Sequence, residues 1–289
     1  MPTRPQDTSF AAIVPGMNGL PKVILAGPQG ARAEIYLHGA HLTSWIPAGG
    51  EERIFLSRAS EFSPAAAIRG GVPVIFPQFS GLGPLPKHGF ARKMDWEYVN
   101  AGLRGADAHA EFLLVDTQST RSLWPHPFSA RLAVTLGAQE LEIALSIENN
   151  SSEPFAFTAA LHTYLAVADV RRSVIEGLEG KSYIDSAGGN VEKVQSERYL
   201  AFDEEVDRLY RNVSGRLTLK EEGPRLAIQA QGFADVVVWN PWVEKGAALV
   251  DLEPEGYRRM LCVEAAAASS PVTVPPAGLW SGAQSLSCL

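Results

Sequence analysis

The clearest signal along the chain is an alternation of apolar and polar positions with a period of two. Leu141, Ile143, Leu145 and Ile147 alternate with Glu142, Ala144, Ser146 and Glu148, which puts the apolar side chains on one face of a strand and the rest on the other. Leu132, Val134 and Leu136 repeat the pattern upstream, and Gly137-Ala138-Gln139-Glu140 supplies a short reversal, so residues 130–148 are predicted to form an antiparallel hairpin. A second hairpin is predicted where Leu217 and Leu219 lead through Glu221-Glu222-Gly223-Pro224 into Leu226 and Ile228, the Gly-Pro pair marking the turn. Further strands are expected at 22–26, 32–38, 72–76, 155–167, 234–239, 259–264 and 272–274. The stretch from Val191 to Val213 fits either a helix or a loop with short strands. Elsewhere little helix is expected.

Many short strands separated by turn residues predict an all-β chain, a large antiparallel twisted sandwich in which two sheets bury each other's apolar faces. The 26 glycines and 20 prolines supply the turns. No internal repeat, low-complexity tract or Ser/Gly linker interrupts the pattern, so residues 1–289 are expected to form one domain.

Composition narrows the function. A net charge of -7 repels nucleic acid and anionic lipid, so an anionic substrate would need a local basic cluster. Cys262 and Cys288 are too few for a disulfide framework and suit a reducing compartment. Met1 to Phe10 carries Arg4, Gln6 and Asp7 without an apolar core, and no stretch approaches the roughly 20 apolar residues of a membrane span. A cytoplasmic location without a membrane partner is the expectation. The Asn-x-Ser triplets at Asn150 and Asn212 are read as chance matches in the absence of a secretory signal.

Four segments could carry chemistry. In Arg69-Gly70-Gly71-Val72-Pro73-Val74-Ile75-Phe76-Pro77-Gln78-Phe79, paired glycines precede a short apolar run; they permit close backbone approach, while the plain alternative is a turn before an edge strand with Arg69 solvated. Lys87-His88-Gly89-Phe90-Ala91-Arg92 gathers three candidate cations, which with Arg69 could form a phosphate or carboxylate site, or could be only a basic surface loop. In the strand 155–167, period two puts Phe155, Phe157, Leu161, Leu165 and Val167 on one face and Thr158, His162 and Tyr164 on the other. His162 then faces a lined groove or is a hydrogen-bonded structural histidine. Glu264 follows the apolar run Arg259-Met260-Leu261-Cys262-Val263; partial desolvation there would raise its pKa and make it a better proton acceptor near neutrality, the alternative being an exposed carboxylate at a strand end. Asp203-Glu204-Glu205-Val206-Asp207 adds acceptors suited to sugar hydroxyls.

Taken with Leu161-His162-Thr163-Tyr164, Val206-Asp207-Arg208-Leu209-Tyr210, Val237-Val238-Trp239-Asn240-Pro241-Trp242 and Cys262-Val263-Glu264, these motifs and their order give a chain that resembles the hexose-6-phosphate mutarotases, or glucose-6-phosphate 1-epimerases, of the galactose mutarotase superfamily. The resemblance covers most of the chain. It implies a twisted β-sandwich with the site on a concave sheet, His162 as general acid and Glu264 as general base. It further implies Arg69 and Arg92 as phosphate or substrate contacts, and Gln78, His88 and Asp207 as hydroxyl partners, Asp203 lying close enough in sequence to compete with Asp207. One departure stands out: where the family usually has a proline and a glycine after Glu264, this chain has Ala265 to Ala268 and two serines, which is expected to alter the loop beside the base.

The reaction so implied is interconversion of the anomers of a hexose 6-phosphate by ring opening and closure. It needs no cofactor. No metal is expected either, since His38 and His41 would need a helix to share a face and stand in a strand-and-turn setting. A small sugar phosphate is the expected partner, and a monomer the expected state. Three other readings stay open: an aldose 1-epimerase for free sugars, a non-catalytic sugar-binding module, and a glycosidase built on Asp207 and Glu264, which leaves His162 and the basic cluster without a role.

Overall fold

Apolar alternation becomes sheet register in the computed structural model, which describes residues 10–223 and 225–289. The strands Phe128–Leu136 and Glu140–Asn149 pair antiparallel with Leu136 opposite Leu141, and Leu132, Val134, Leu136, Leu141, Leu145 and Ile147 are fully buried. The second predicted hairpin also forms, from Leu217–Lys220 and Arg225–Gln231; Pro224, part of its expected turn, lies outside the described residues, as do residues 1–9 of the N-terminal segment. Among the described residues helix is confined to two short α-helices, Gln118–Leu123 and Trp242–Ala248, and to single 3-10 turns.

Among the described residues the strands form three antiparallel sheets. A four-stranded sheet spans residues 11–46. A nine-stranded sheet contains both predicted hairpins and, at its centre, Leu279–Cys288. An eight-stranded sheet runs in the order Val191–Val194, Ser182–Asp185, Val206–Tyr210, Asp235–Asn240, Met260–Val274, Phe155–Leu161 and Val74–Ile75, with Tyr164–Ala166 paired to Met260–Val274 beside this path. One large apolar cluster joins the sheets, including Trp45, Phe76, Phe112, Phe128, Leu161 and Val263.

Two sequence expectations change here, and one open alternative closes. The ambiguous stretch Val191 to Val213 follows the second of its two readings and holds three short strands, Val191–Val194, Tyr199–Ala201 and Val206–Tyr210, each paired through its backbone with a neighbouring strand. The expected strand 155–167 breaks at His162 and Thr163, where Thr163 N–H turns back to the Leu161 carbonyl at 3.0 Å. The expected loop after Glu264 does not exist: Ala265, Ala266 and Ala267 continue Met260–Val274, opposite Leu161, Ala160 and Ala159. Glu264 therefore lies inside a strand and not at its end.

Candidate active site

Cross-strand pairing decides which side chains meet, because residues directly opposite in an antiparallel ladder share a face. Glu264 is opposite Val237, Cys262 is opposite both Trp239 and Tyr164, and Asp207 is opposite Trp239. One sheet face therefore presents Glu264, Trp239, Tyr164 and Asp207. Asp203 is exposed in the preceding turn while Asp207 is partly buried on its strand, so of the two it is Asp207 that stands with the other candidates.

His162 joins this face from the break in its strand. Its backbone N–H donates to the Pro73 carbonyl at 3.1 Å, and Tyr164 N–H donates to the Gly71 carbonyl at 2.9 Å, so the arginine-glycine segment is laced to the histidine segment. Gly71 is needed for this approach: its φ is +67°, and a Cβ there would lie 2.4 Å from His41 Nε2. His162 Nδ1 stands 3.3 Å from Glu264 Oε1, with the two side chains 10% and 2% exposed. Neither His162 Nδ1 nor Glu264 Oε2 has a hydrogen bond of acceptable geometry. The imidazole stacks on Tyr164, centroids 4.8 Å apart and planes 8° from parallel, and meets Trp239 edge-on at 5.9 Å.

Burial governs the protonation of this pair. Loss of water holds the His162 imidazole well below its usual pKa, and the neighbouring His88, Arg92 and Arg69 push it further down. Loss of water also holds the Glu264 carboxyl well above its usual range, Asp207 adding to the effect while Arg92 opposes it. Together these shifts favour a neutral imidazole beside a carboxylic acid. That form carries the same single proton as an imidazolium facing a carboxylate.

The cations are not equivalent. Arg69 Nη1 donates to the Tyr164 hydroxyl at 3.0 Å and its Nε lies 3.1 Å from Asp251 Oδ1. Burial works against this charge, but Tyr164 and Asp251 outweigh it and raise the pKa. Arg69 is thus neither solvated nor free. Arg92 donates from Nη2 to the Lys87 carbonyl at 3.1 Å, and its buried Nε has no partner among the described residues. Lys87 is exposed.

His88 and Gln78 lie at the base of the loop between them. His88 N–H donates to the Ser80 carbonyl at 2.9 Å, and Ser80 N–H donates back to His88 Nδ1 at 3.2 Å. With Nδ1 accepting, the ring proton sits on Nε2, and burial, with Arg92 and Lys87 nearby, lowers the His88 pKa to about 3. The ring is 5.6 Å from that of His162. Of the three cations suggested for the Lys87–Arg92 motif, His88 is therefore a neutral donor. Gln78 is not free to bind a hydroxyl as expected, because its Nε2 donates to the Ser80 and Leu85 carbonyls at 3.1 and 3.0 Å and its Oε1 accepts from Leu85 N–H at 2.9 Å. A 4% exposed amide so engaged shapes the loop.

Two contributors escaped the sequence reading. Asp251 follows the short helix and carries no motif. Gln284 reaches from the nine-stranded sheet, where Thr163 Oγ1 donates to its Oε1 and its Nε2 donates to the Val263 carbonyl at 2.9 Å. It therefore clamps the immediate neighbours of His162 and Glu264. The available signal was parity, since Gln284 occupies the inward register of Leu286. His38 and His41 donate from Nε2–H to the carbonyls of Ala66 and Gly70, and among the described residues no group of three or more His, Cys, Asp and Glu side chains could hold a metal ion. No helix among them is long and apolar enough to cross a membrane. A separate cavity of about 640 Å³, lined by Asp185, Arg208, Glu205 and Trp242 among others, includes none of the side chains of the site.

This fold and constellation match known proteins. The sequence profile of aldose 1-epimerase covers residues 21–287. A protein of Cenchrus ciliaris named "Putative glucose-6-phosphate 1-epimerase" is 36% identical, spanning 97% of this chain and 88% of its own. An Escherichia coli K12 protein of the same name is 34% identical over 88% of this chain and 85% of its own. The crystal structure of a "putative mutarotase" from Salmonella typhimurium superposes with a TM-score of 0.90 at 29% identity, covering 99% of this chain and 96% of that one. Galactose 1-epimerase from Lactobacillus acidophilus shares the fold, with a TM-score of 0.73 at 13% identity over 96% and 98% of the two chains. The chain belongs to the aldose 1-epimerase family.

Proposed function

We propose that this epimerase interconverts the α and β anomers of a hexose 6-phosphate, D-glucose 6-phosphate foremost, with His162 and Glu264 as its proton carriers. The observation that carries the reading is the 3.3 Å approach of these two buried groups close to Arg92, whose buried Nε has no hydrogen-bond partner among the described residues. In a pyranose the C1 hydroxyl oxygen and the ring oxygen O5 are both bonded to C1. Two groups that serve them must therefore stand close together, and this pair does.

Glu264, as carboxylate, takes the proton of the C1 hydroxyl while His162, as imidazolium, gives a proton to O5. The C1–O5 bond breaks, its electron pair goes to O5, and C1 becomes an aldehyde carbon. Rotation about C1–C2 presents the other carbonyl face. Closure with the roles exchanged forms the opposite anomer and returns both protons. The pair begins and ends the cycle with one proton, so no exchange with solvent is required. Arg92 favours the carboxylate form of Glu264 and opposes the imidazolium form of His162, so the reacting form is reached from the neutral pair by transfer of the shared proton from Glu264 to His162.

Phosphate recognition rests on Arg92 and, at the rim, Lys87. Arg69 keeps its bonds to Asp251 and Tyr164 and contributes from a partly neutralised guanidinium. The neutral Nε2–H of His88 and the Asp207 carboxylate complete the set as donor and acceptor for hydroxyls, Asp207 having its pKa raised by burial.

Exchange NMR of the purified protein tests this. Glucose 6-phosphate should anomerise much faster than without protein and faster than glucose at equal concentration. Arg92→Ala should lower kcat/KM for the phosphorylated sugar by roughly 10- to 100-fold, the range of a lost charge-assisted hydrogen bond, and affect glucose far less. Equal acceleration of both sugars would remove the phosphate assignment. Acceleration of neither would leave a binding module.

A further inference from the structure

We propose that Tyr164 is a positioning residue for this reaction: its ring sets the plane of the His162 imidazole and its hydroxyl holds the Arg69 guanidinium, tying the proton carrier to a substrate-binding cation. This rests on the mutarotase reading above and gives a role to a residue outside the reacting set. Tyr164 is 2% exposed and its hydroxyl is engaged by Arg69, so both its ring and its hydroxyl are spent on the protein.

The need for such a residue follows from what His162 lacks. A catalytic histidine is usually oriented by a hydrogen bond from one ring nitrogen to a carboxylate or carbonyl. Here His162 Nδ1 has none, since its approach to Glu264 at 3.3 Å is outside hydrogen-bond alignment. Ring packing takes over. Tyr164 lies parallel to the imidazole within 8°, and Trp239 stands edge-on to both rings, at 89° to His162 and 88° to Tyr164. A rotation of the imidazole about its Cβ–Cγ bond would lose both the parallel stack on Tyr164 and the perpendicular contact with Trp239.

Tyr164 can serve as this template because its own position is fixed at three points. Its N–H donates to Gly71, its carbonyl accepts from Phe55 N–H at 2.9 Å, and its hydroxyl accepts from Arg69. The Arg69 guanidinium is held in turn by Asp251. The path Asp251, Arg69, Tyr164, His162, Glu264 is thus one continuous run of contacts from a cation to the proton pair.

Two substitutions separate the ring from the hydroxyl. Tyr164→Phe keeps the stack and removes the bond to Arg69; kcat should stay within about threefold of wild type while KM for glucose 6-phosphate rises about 3- to 10-fold. Tyr164→Leu removes the stack, and kcat should fall on the order of 10- to 100-fold, as expected for a misaligned reacting group. The ring protons of His162 should resonate upfield in wild type and in Tyr164→Phe and move downfield in Tyr164→Leu. Should the leucine variant not fold, Tyr164→Met, closer in length, takes its place.

A folded leucine or methionine variant with wild-type kcat, or equal losses of kcat in the phenylalanine and leucine variants, would overturn the role of the ring. An unchanged KM in Tyr164→Phe would overturn that of the hydroxyl. If the wild-type protein accelerates neither sugar, the mutarotase reading has failed instead, and the His162 resonances still decide whether the stack orients the imidazole.

Discussion

An imidazole and a carboxyl group shielded from water 3.3 Å apart each resist charge, and the chemistry proposed for them depends on that resistance being shared. Glu264→Gln and His162→Ala should each fold as wild type and lose about 10²- to 10⁴-fold in kcat for anomerisation, the usual cost of removing a general base or acid; near-wild-type turnover by either would cancel the role given to that residue. Desolvation also leaves a signature in stability. His88 has its folded pKa lowered to about 3 by burial, whereas in the unfolded chain an imidazole titrates near 6.5. Between those values the unfolded state binds the extra proton, so stability is full above about pH 6.5 and is lost as pH falls toward 3, by at most about 1.4 kcal/mol per pH unit from this group. Urea titrations across that window should show a shallower acid loss in His88→Asn than in wild type; parallel curves would mean that His88 is not held neutral. At this scale much was legible. His162 was singled out by strand parity, Glu264 by its place after an apolar run, Arg92 by a cluster of cations and Asp207 by the family resemblance, and the structure brings them to one region. The protein partners of Gln78 and Arg69 were not legible, because nothing local states whether a polar side chain spends its bonds on the protein or keeps them for a ligand.

Elements set the distances within which these residues work. The loop from Gln78 to His88 is closed by the reciprocal Ser80–His88 hydrogen bonds and filled from inside by the Gln78 amide. Its exit is Gly89, with φ at +67° and the space of a Cβ occupied by the Phe76 carbonyl oxygen at 2.2 Å. No side chain fits there without moving backbone. Gly89→Ala should therefore destabilise the protein by about 1–3 kcal/mol through strain and displacement and should lower kcat/KM more than a surface substitution of equal stability cost, because His88 and Arg92 move with the loop. Thermal melting together with the exchange assay checks both parts. Both hairpins were readable from alternation, since period two is a local consequence of strand geometry. The continuation of Met260–Val274 through Ala265 to Ala268 was not: alanine has little strand preference of its own, and pairing with Phe155–Leu161 on one side and Asp235–Asn240 on the other carries the strand onward.

Over the whole molecule, the site is a product of strand order. His162 and Glu264 are far apart in the chain and become neighbours because Met260–Val274 pairs with both Phe155–Leu161 and Tyr164–Ala166. The opposing sheet contributes as well, since Gln284 crosses the core to hold the residues beside each of them. We propose that the chain unfolds as one unit on this account, since one large apolar cluster draws on all three sheets. Thermal unfolding followed by far-ultraviolet dichroism and by tryptophan fluorescence should then give coincident transitions; separated midpoints would divide the chain into more than one domain.

Sequence by itself determined the fold class, the faces of the strands and the residue types available for proton transfer, because alternation, turn chemistry and side-chain functionality are properties of short stretches. Tertiary structure decided that Asp207 and not Asp203 stands beside Trp239, that Asp251 compensates Arg69, that Gln78 turns inward and that ring packing stands in for a hydrogen bond at His162. Each of these depends on which distant segment lies opposite. That depends on strand order and register across the entire sheet, which no local pattern encodes.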